Sequence, residues 1–317
     1  MKSWIKYGAI LIAMGCATVA LSEQFSALPK LIGEVDFMIV AYVVVGLVIY
    51  QIFNAGVWSD VLACIGLPRN RWACTRIWLE SESLKWLPGA VWSYGSRVFL
   101  SSEIGVDKKK AGSSMVLELI ITNIAWGLLA LSLFLSFPII EWGRGMLGSH
   151  NWILYLCVLS ALSVVGVGVL KWKYEKIKEF LNIGPIAMSK CVRTLFHYLC
   201  LCVLNASLLW VFIQAVPGVE VPYTIVIGIT AAAWLCGFWA IGIPGGIGVR
   251  EAVIVSLLCQ FTNLENAILV AALWRVCQMV AEVSSISLVA GSGLFKWGNQ
   301  RQNIKTETCY EENSFHN

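Results

Sequence analysis

Apolar residues fill this chain in long blocks, and the polar residues between them are few and clustered. Runs near 5–22, 37–57, 113–137, 152–170, 194–216, 223–243 and 267–295 have the roughly 20 residues needed to cross about 30 Å of hydrocarbon. They predict seven transmembrane helices. Two shorter apolar pieces, near 86–100 and 252–262, are too short to cross alone, and each adjoins a Pro-Gly break. The expected fold class is all-α: a polytopic membrane protein with about seven full transmembrane helices plus two re-entrant or half-helices at the breaks.

Composition agrees with that pattern. The chain is 58% hydrophobic and 13% charged, against about 25% charged in soluble domains, and its mean hydropathy is +0.74. Of the 15 Trp, Trp4, Trp58, Trp142, Trp152, Trp172 and Trp297 lie near the ends of apolar runs, where amphipathic rings favour the headgroup layer; Trp126, Trp210 and Trp234 read as core. The cysteines lie mostly inside apolar runs (Cys16, Cys157, Cys200, Cys202, Cys236, Cys259, Cys277), with no Cys-x-x-Cys and no His at ligand spacing. They predict small packing residues rather than a zinc site or a disulfide framework.

Charge distribution orients the spans. Segments 59–111 and 171–193 hold eight and six Lys/Arg, while 22–36 and 138–151 hold one each and 217–222 none. With Lys2 and Lys6, the rich segments are expected in the cytoplasm together with the N-terminus. A cleaved signal peptide competes for the first run, but the run is long enough to be kept as a helix. The sixth span then delivers the chain to the cytoplasmic side just before Pro244. A fully re-entrant 244–262 would leave the C-terminus outside, yet Lys296, Arg301 and Lys305 favour the inside. The side of the C-terminus is left open. Segment 59–85 reads as an amphipathic interfacial helix, and 298–317 as a polar, disordered tail after a single membrane domain, 1–297. A weak internal duplication would pair 1–137 with 194–297, a plan common in transporters.

The chemistry concentrates at the two breaks, Lys85-Trp-Leu-Pro88-Gly89-Ala-Val-Trp-Ser-Tyr-Gly-Ser-Arg97 and Pro244-Gly245-Gly246-Ile-Gly-Val-Arg250-Glu251. A helix starting after each would present free N–H groups and a partial positive charge, suited to an anion, with Lys85, Arg97 and Arg250 adding full charges. A charge at the bilayer centre costs about 2.5–3.5 kcal/mol on insertion scales, so each needs a partner or a purpose. In the last span Arg275, Gln278, Glu282 and Ser285 share one helix face. Glu118 in the third span is placed to face Arg97 or Arg275. His197 and Asn205 read as inter-helix hydrogen-bonders. The expected headgroup site comprises Lys85, Pro88, Gly89, Arg97, Glu118, Gly245, Gly246, Arg250, Glu251, Arg275 and Glu282.

These residues carry a resemblance. The Lys-aromatic-aliphatic-Pro-Gly-x-Val-Trp stretch ending in Arg97, then Gly105-Val106 and Glu118, then Pro244-Gly245-Gly246-x-Gly-x-Arg250-Glu251, resemble the lysylphosphatidylglycerol synthase transmembrane-domain family, also described as flippase-like. The resemblance implies a role in moving or handling a lipid or lipid-linked glycan at the bacterial inner membrane, with the two breaks lining the lipid cavity. It does not bring lysyl transfer, because the separate aminoacyl-transfer domain has no counterpart in these 317 residues.

Three functions fit these residues. The first is translocation of an anionic lipid or lipid-linked glycan. The second is an integral-membrane transferase on a polyprenyl-phosphate or lipid, with Glu118, Glu103 or Glu251 as base. The third is a scaffold docking polysaccharide or lipid biosynthesis enzymes on basic loops such as Lys108-Lys109-Lys110. With three Asp, three His and no Asp-x-Asp or Gly-x-Gly-Asp motif, enzyme signals are poor. No metal, cofactor or nucleic-acid partner is expected; the partner is membrane lipid, in an oligomeric state the sequence does not specify.

Overall fold

The structure, a computed structural model, describes residues 33–67, 70–83, 92–136, 187–240 and 243–291. The expected spans 5–22 and 152–170, the tail 298–317, and Lys85, Pro88 and Gly89 lie outside these residues. Among the described residues there are eight α-helices and no strand: α1 (Phe37–Cys64), α2 (Arg71–Glu82), α3 (Trp92–Leu100), α4 (Lys108–Ser136), α5 (Met188–Ile213), α6 (Tyr223–Trp239), α7 (Val249–Leu258) and α8 (Leu264–Gly291). Four of them, α1, α4, α5 and α8, are long and apolar enough to cross a membrane. The protein is a polytopic, all-helical membrane protein.

Local chemistry sets the ends of these helices. Asp36 caps α1, its Oδ1 accepting from the Met38 amide at 2.9 Å, and Asn70 caps α2 by accepting from the Ala73 amide at 3.2 Å; each satisfies a donor left open at a helix start. α1 runs seven residues past the apolar run expected at 37–57, as far as Cys64. It can do so because Asp60, buried in the last turns, meets Arg71 Nη2 at 3.3 Å and His197 Nδ1 at 2.9 Å. His197 thus joins α5 to α1 as an inter-helix partner.

Hydrogen bonds fix the direction of every long helix. The Asp36 amide, before α1, donates to Ala215 O just past α5, and the Ala187 amide, before α5, donates to Cys64 O at the end of α1. α1 and α5 are therefore antiparallel. Asn266, in the first turn of α8, donates to Pro217 O, while Ser132 near the end of α4 donates to Thr224 O at the start of α6. One face of the protein thus gathers the start of α1, the ends of α4 and α5, and the starts of α6 and α8. The opposite face gathers the end of α1 and the starts of α2, α4 and α5.

The short helices form two hairpins that enter from these opposite faces. Arg71, the first residue of α2, lies beside Asp60, whereas Glu82 and Ser83 at its end share a cleft with Gln51, deeper along α1. α3 then returns, with Arg97 against Ser81; beyond it, Glu103 reaches back to Arg76. In the second hairpin α6 has 17 residues, about 25 Å at 1.5 Å per residue, less than the hydrocarbon thickness of about 30 Å. Gly245 O accepts from Arg275 Nη2 at 3.2 Å, and Arg275 stands about 16 Å into α8 by helix rise. α7 turns back alongside α6, since Arg250 packs on Gly237 and Ile254 lines a cleft with Thr230 and Ala233.

The second break accordingly sits inside the helix bundle. This corrects the expectation that the sixth span carries the chain all the way to the far side before Pro244. α6 stops short, α7 returns, and α8 alone crosses to the face where α1 ends. The half-helix expected at 252–262 begins earlier, at Val249, because Gly248 (φ +83) makes the turn that starts it.

Two apolar clusters stack around the hairpins. One joins Val43 and Leu47 of α1 to Phe212, Ile229, Leu258 and Trp274; the other joins Trp58 and Leu62 to Ile77, Trp126 and Leu201. Trp58, expected at the headgroup layer, is fully buried, and its Nε1 donates to Ser114 Oγ at 3.2 Å. Trp126 is core as expected and stacks on Trp234 at 5.4 Å. Cys64, Cys74, Cys202 and Cys277 are buried, but Cys200 and Cys236 are exposed on the helix surface. α2 is less interfacial than its pattern suggested, with Cys74, Ile77, Trp78 and Leu79 all buried.

The hairpin arrangement makes a topological prediction. With native cysteines replaced, single cysteines at Glu220 and Asn263 are expected to label with an impermeant thiol reagent from one side of sealed vesicles, and a cysteine at Lys109 from the other. Labelling of Asn263 from the same side as Lys109 would show that α7 crosses instead of returning.

Candidate functional site

Around the first hairpin, charge is paired and closed. Arg97 is 2% exposed, and its Nη1 donates to Glu118 Oε2 at 2.7 Å, while Nε donates to Ser81 Oγ at 3.0 Å. Its Nη2 stands 3.5 Å from Glu82 Oε2, and the guanidinium lies over the rings of Trp78 and Trp58, 5.1 and 5.7 Å from their centroids. Glu118 is as fully engaged. Its Oε1 accepts from Trp78 Nε1 at 2.9 Å and from the Tyr198 hydroxyl at 3.3 Å. One ion pair thereby ties α2, α3, α4 and α5 together, with every partner drawn from the protein.

The second hairpin is built differently. Glu251, in the first turn of α7, accepts from the Gly248 amide at 2.6 Å through Oε2, as the acidic half of a capping box does. Its Oε1 faces Arg275 Nε at 3.3 Å, an ion pair too poorly angled for a hydrogen bond. Arg275 in turn caps the exposed carbonyl of Gly245. The break thus supplies both its own anion, at the helix start, and its own cation, at the open carbonyl. The free helix N-terminus expected from the sequence is partly occupied by Glu251.

Arg250 is the exception. Its Nε is enclosed with no hydrogen-bond partner, and among the described residues no carboxylate stands within ion-pair distance, although Glu251 and Glu282 lie in its surroundings. Its guanidinium is 5.9 Å from the Trp234 ring centroid, a contact worth about 0.5–2 kcal/mol that offsets only part of the cost of desolvating a cation. Two glycines make room for it. A Cβ on Gly237 would come 2.3 Å from Arg250 Cγ and 2.6 Å from its Nε, and one on Gly246 (φ +66) would come 2.8 Å from Gly237 O. Only glycine at both positions lets the end of α6, the break and this side chain occupy one place.

Arg250 lines a cleft with Asn205, Thr230, Trp234, Glu251, Trp274 and Gln278, among others; the void is about 30 Å³. That is room for a water and not for a headgroup, so the structure holds this cleft closed. A second cleft, between α1, α2 and α8, is lined by Gln51, Trp78, Glu82, Glu282 and Ser285. The polar face of α8 joins the two, with Arg275 at the break, Gln278 in one cleft, and Glu282 and Ser285 in the other. Tyr50 stands between the hairpins, with Arg250, Glu282 and Glu82 all among its charged neighbours.

Of the expected site residues, the structure thus brings Gly245, Gly246, Arg250, Glu251 and Arg275 together at one break. Arg97 and Glu118 pair with each other at the other hairpin, and Glu282 faces the second cleft. Sequence reasoning missed Trp78, Ser81 and Tyr198, the neutral partners of the Arg97–Glu118 pair, and Gly237. Asn205, expected to hydrogen-bond between helices, makes no such bond among the described residues and lines the Arg250 cleft instead. Among the described residues no cluster of His, Cys, Asp and Glu is placed to hold a metal ion.

Compared with known families, the sequence matches the model described as the lysylphosphatidylglycerol synthase TM region over residues 7–283. No curated protein matches it.

The Arg97–Glu118 pair makes a stability prediction. Removing one partner leaves the other charge buried, which typically costs about 3–5 kcal/mol, whereas replacing both with apolar side chains of similar size is often near neutral. Arg97→Met alone is therefore expected to lower thermal stability in detergent sharply, and Arg97→Met/Glu118→Leu to recover most of the loss. Equal losses in the single and double variants would mean that the pair does not lock the hairpin.

Proposed function

Because the chain belongs to the lysylphosphatidylglycerol synthase transmembrane-region family, we propose that it translocates an anionic lipid or lipid-linked headgroup, which it receives at Arg250. The observation carrying this reading is a guanidinium at the break of a re-entrant hairpin, half-buried, with its Nε enclosed and with no carboxylate in ion-pair distance among the described residues. A phosphate would supply the charge that the protein withholds, in a setting where charge-assisted hydrogen bonds are strong.

The route runs along α8. A headgroup held at Arg250 meets Gln278 next, then Glu282 and Ser285 beside Glu82 of the opposite hairpin, while its apolar chains stay in lipid. Gln278 and Ser285 offer hydrogen bonds in place of water along this path, and Glu82 and Glu282 mark its acidic end. The closed cleft opens by movement of α7 about its glycine-rich break, where Gly245, Gly246 and Gly248 all have positive φ. Arg97 and Glu118 hold the first hairpin in position without touching the headgroup. With the two spans expected at 5–22 and 152–170, the protein is a multi-pass protein of the bacterial inner membrane with a cytoplasmic N-terminus, in keeping with the Lys/Arg distribution.

The transferase alternative is less well supported. Each carboxylate it would use as a base is already opposed by arginine: Glu118 by Arg97, Glu103 by Arg76, and Glu251 by Arg275.

The test is transport by purified protein in proteoliposomes, following a headgroup-labelled anionic phospholipid by quenching from outside. Arg250→Gln is expected to slow translocation roughly 10–100-fold, the worth of one lost hydrogen bond to a charged group, while remaining folded and monodisperse. Wild-type transport by Arg250→Gln would overturn the assignment, and a chemically altered lipid in place of a translocated one would favour the transferase.

A further inference from the structure

The cleft beside Arg250 also has an uncharged wall. Asn205 of α5 and Thr230 of α6 are each 6% exposed, and Gln278 of α8 completes the wall from a third helix. Among the described residues neither amide meets a hydrogen-bond partner. The Thr230 hydroxyl donates to Val226 O at 2.7 Å, which leaves its oxygen able to accept. Two amides and a hydroxyl oxygen therefore face the same void as the unpaired guanidinium. Each amide offers two donors and a carbonyl acceptor, and buried polar groups of this kind are ordinarily satisfied.

The charge balance of the cleft restricts what can satisfy them. Its carboxylate, Glu251, is already engaged by the Gly248 amide and by Arg275. A headgroup amine entering here would meet Arg250 and find no uncommitted anion among the described residues of the cleft. Hydroxyl groups both donate and accept, and so match two amides and a hydroxyl oxygen set beside a phosphate-binding cation.

We infer that the cleft selects a lipid-linked phosphodiester headgroup that bears hydroxyl groups and no amine, with Asn205 and Gln278 as the specificity-determining residues. This inference rests on the reading of Arg250 as the headgroup cation. It assigns the phosphate to Arg250 and the hydroxyls to Asn205, Thr230 and Gln278.

The test is competitive lipid binding followed by native mass spectrometry, with three probes sharing the same acyl chains. Phosphatidylinositol carries the phosphodiester and hydroxyls, phosphatidylethanol the phosphodiester alone, and phosphatidylethanolamine an amine. The expected order of retention is phosphatidylinositol, then phosphatidylethanol, then phosphatidylethanolamine. Gln278→Leu and Asn205→Leu are each expected to lower phosphatidylinositol binding about three- to ten-fold, the effect of losing one neutral hydrogen bond or two, while leaving phosphatidylethanol binding within about twofold. Should Asn205→Leu fail to fold, the partly exposed Gln278 carries the comparison.

Phosphatidylethanolamine binding as tightly as phosphatidylinositol, or equal losses for phosphatidylinositol and phosphatidylethanol in both amide variants, would overturn the inference. Soluble inositol 1-phosphate displacing the lipid at equal concentration would overturn its lipid-linked part. An Arg250→Gln variant that retains all three lipids as wild type does would instead overturn the underlying reading of the site.

Discussion

A guanidinium inside a membrane protein has to be met by something, and the fold is organised around how three of them are met. Insertion scales put the cost of one such cation at the helix centre at about 2.5–3.5 kcal/mol. Arg97 is met by Glu118 and Ser81 and covered by two indoles. Arg275 is met by Glu251 and by the carbonyl exposed at the break. Among the described residues Arg250 has the face of Trp234 and no carboxylate in ion-pair distance. The first two solutions hold helices together; the third leaves an electrostatic demand that a ligand can fill.

The contrast is the more informative because the two hairpins are otherwise alike. Each enters between long helices and returns through a short helix that forms an ion pair with the next long helix. The signs are exchanged: α3 contributes Arg97 to Glu118 of α4, and α7 contributes Glu251 to Arg275 of α8. The two hairpins enter from opposite faces, and the second breaks inside the bundle. Irregular backbone is tolerable at that depth because protein groups satisfy it, as Arg275 does for Gly245 and Glu251 for Gly248.

Much of this was legible in the residues. Long apolar runs mark α1, α4, α5 and α8, and the Pro-Gly-Gly-x-Gly-x-Arg-Glu stretch marks the second hairpin, because few sequences place glycines and charges inside a membrane run without a purpose. That Glu118 would face Arg97 or Arg275 was foreseeable from cost, since each charge needed a partner, but the choice of Arg97 was not. Depth was not foreseeable. An apolar run at 223–243 is long enough to span, and only the seat that Gly237 gives Arg250, with the reach of Arg275 to Gly245, shows that α6 stops short. Nor could periodicity distinguish an amide that bridges helices from one that faces a void, so Asn205 was misread. Trp58 was misplaced because a Trp near the end of an apolar run reads the same whether it meets headgroups or Ser114.

The central claim is that the second hairpin, and not the first, is where an anionic headgroup acts. Hydrogen exchange on the unmodified protein in nanodiscs, with and without an anionic lipid in an otherwise zwitterionic bilayer, tests it most directly. The account predicts slower exchange confined to residues 243–258, the break and α7, with 92–104 unchanged because the Arg97 network is already closed. Protection at 92–104 with none at 243–258 would contradict it and move the site to the first hairpin.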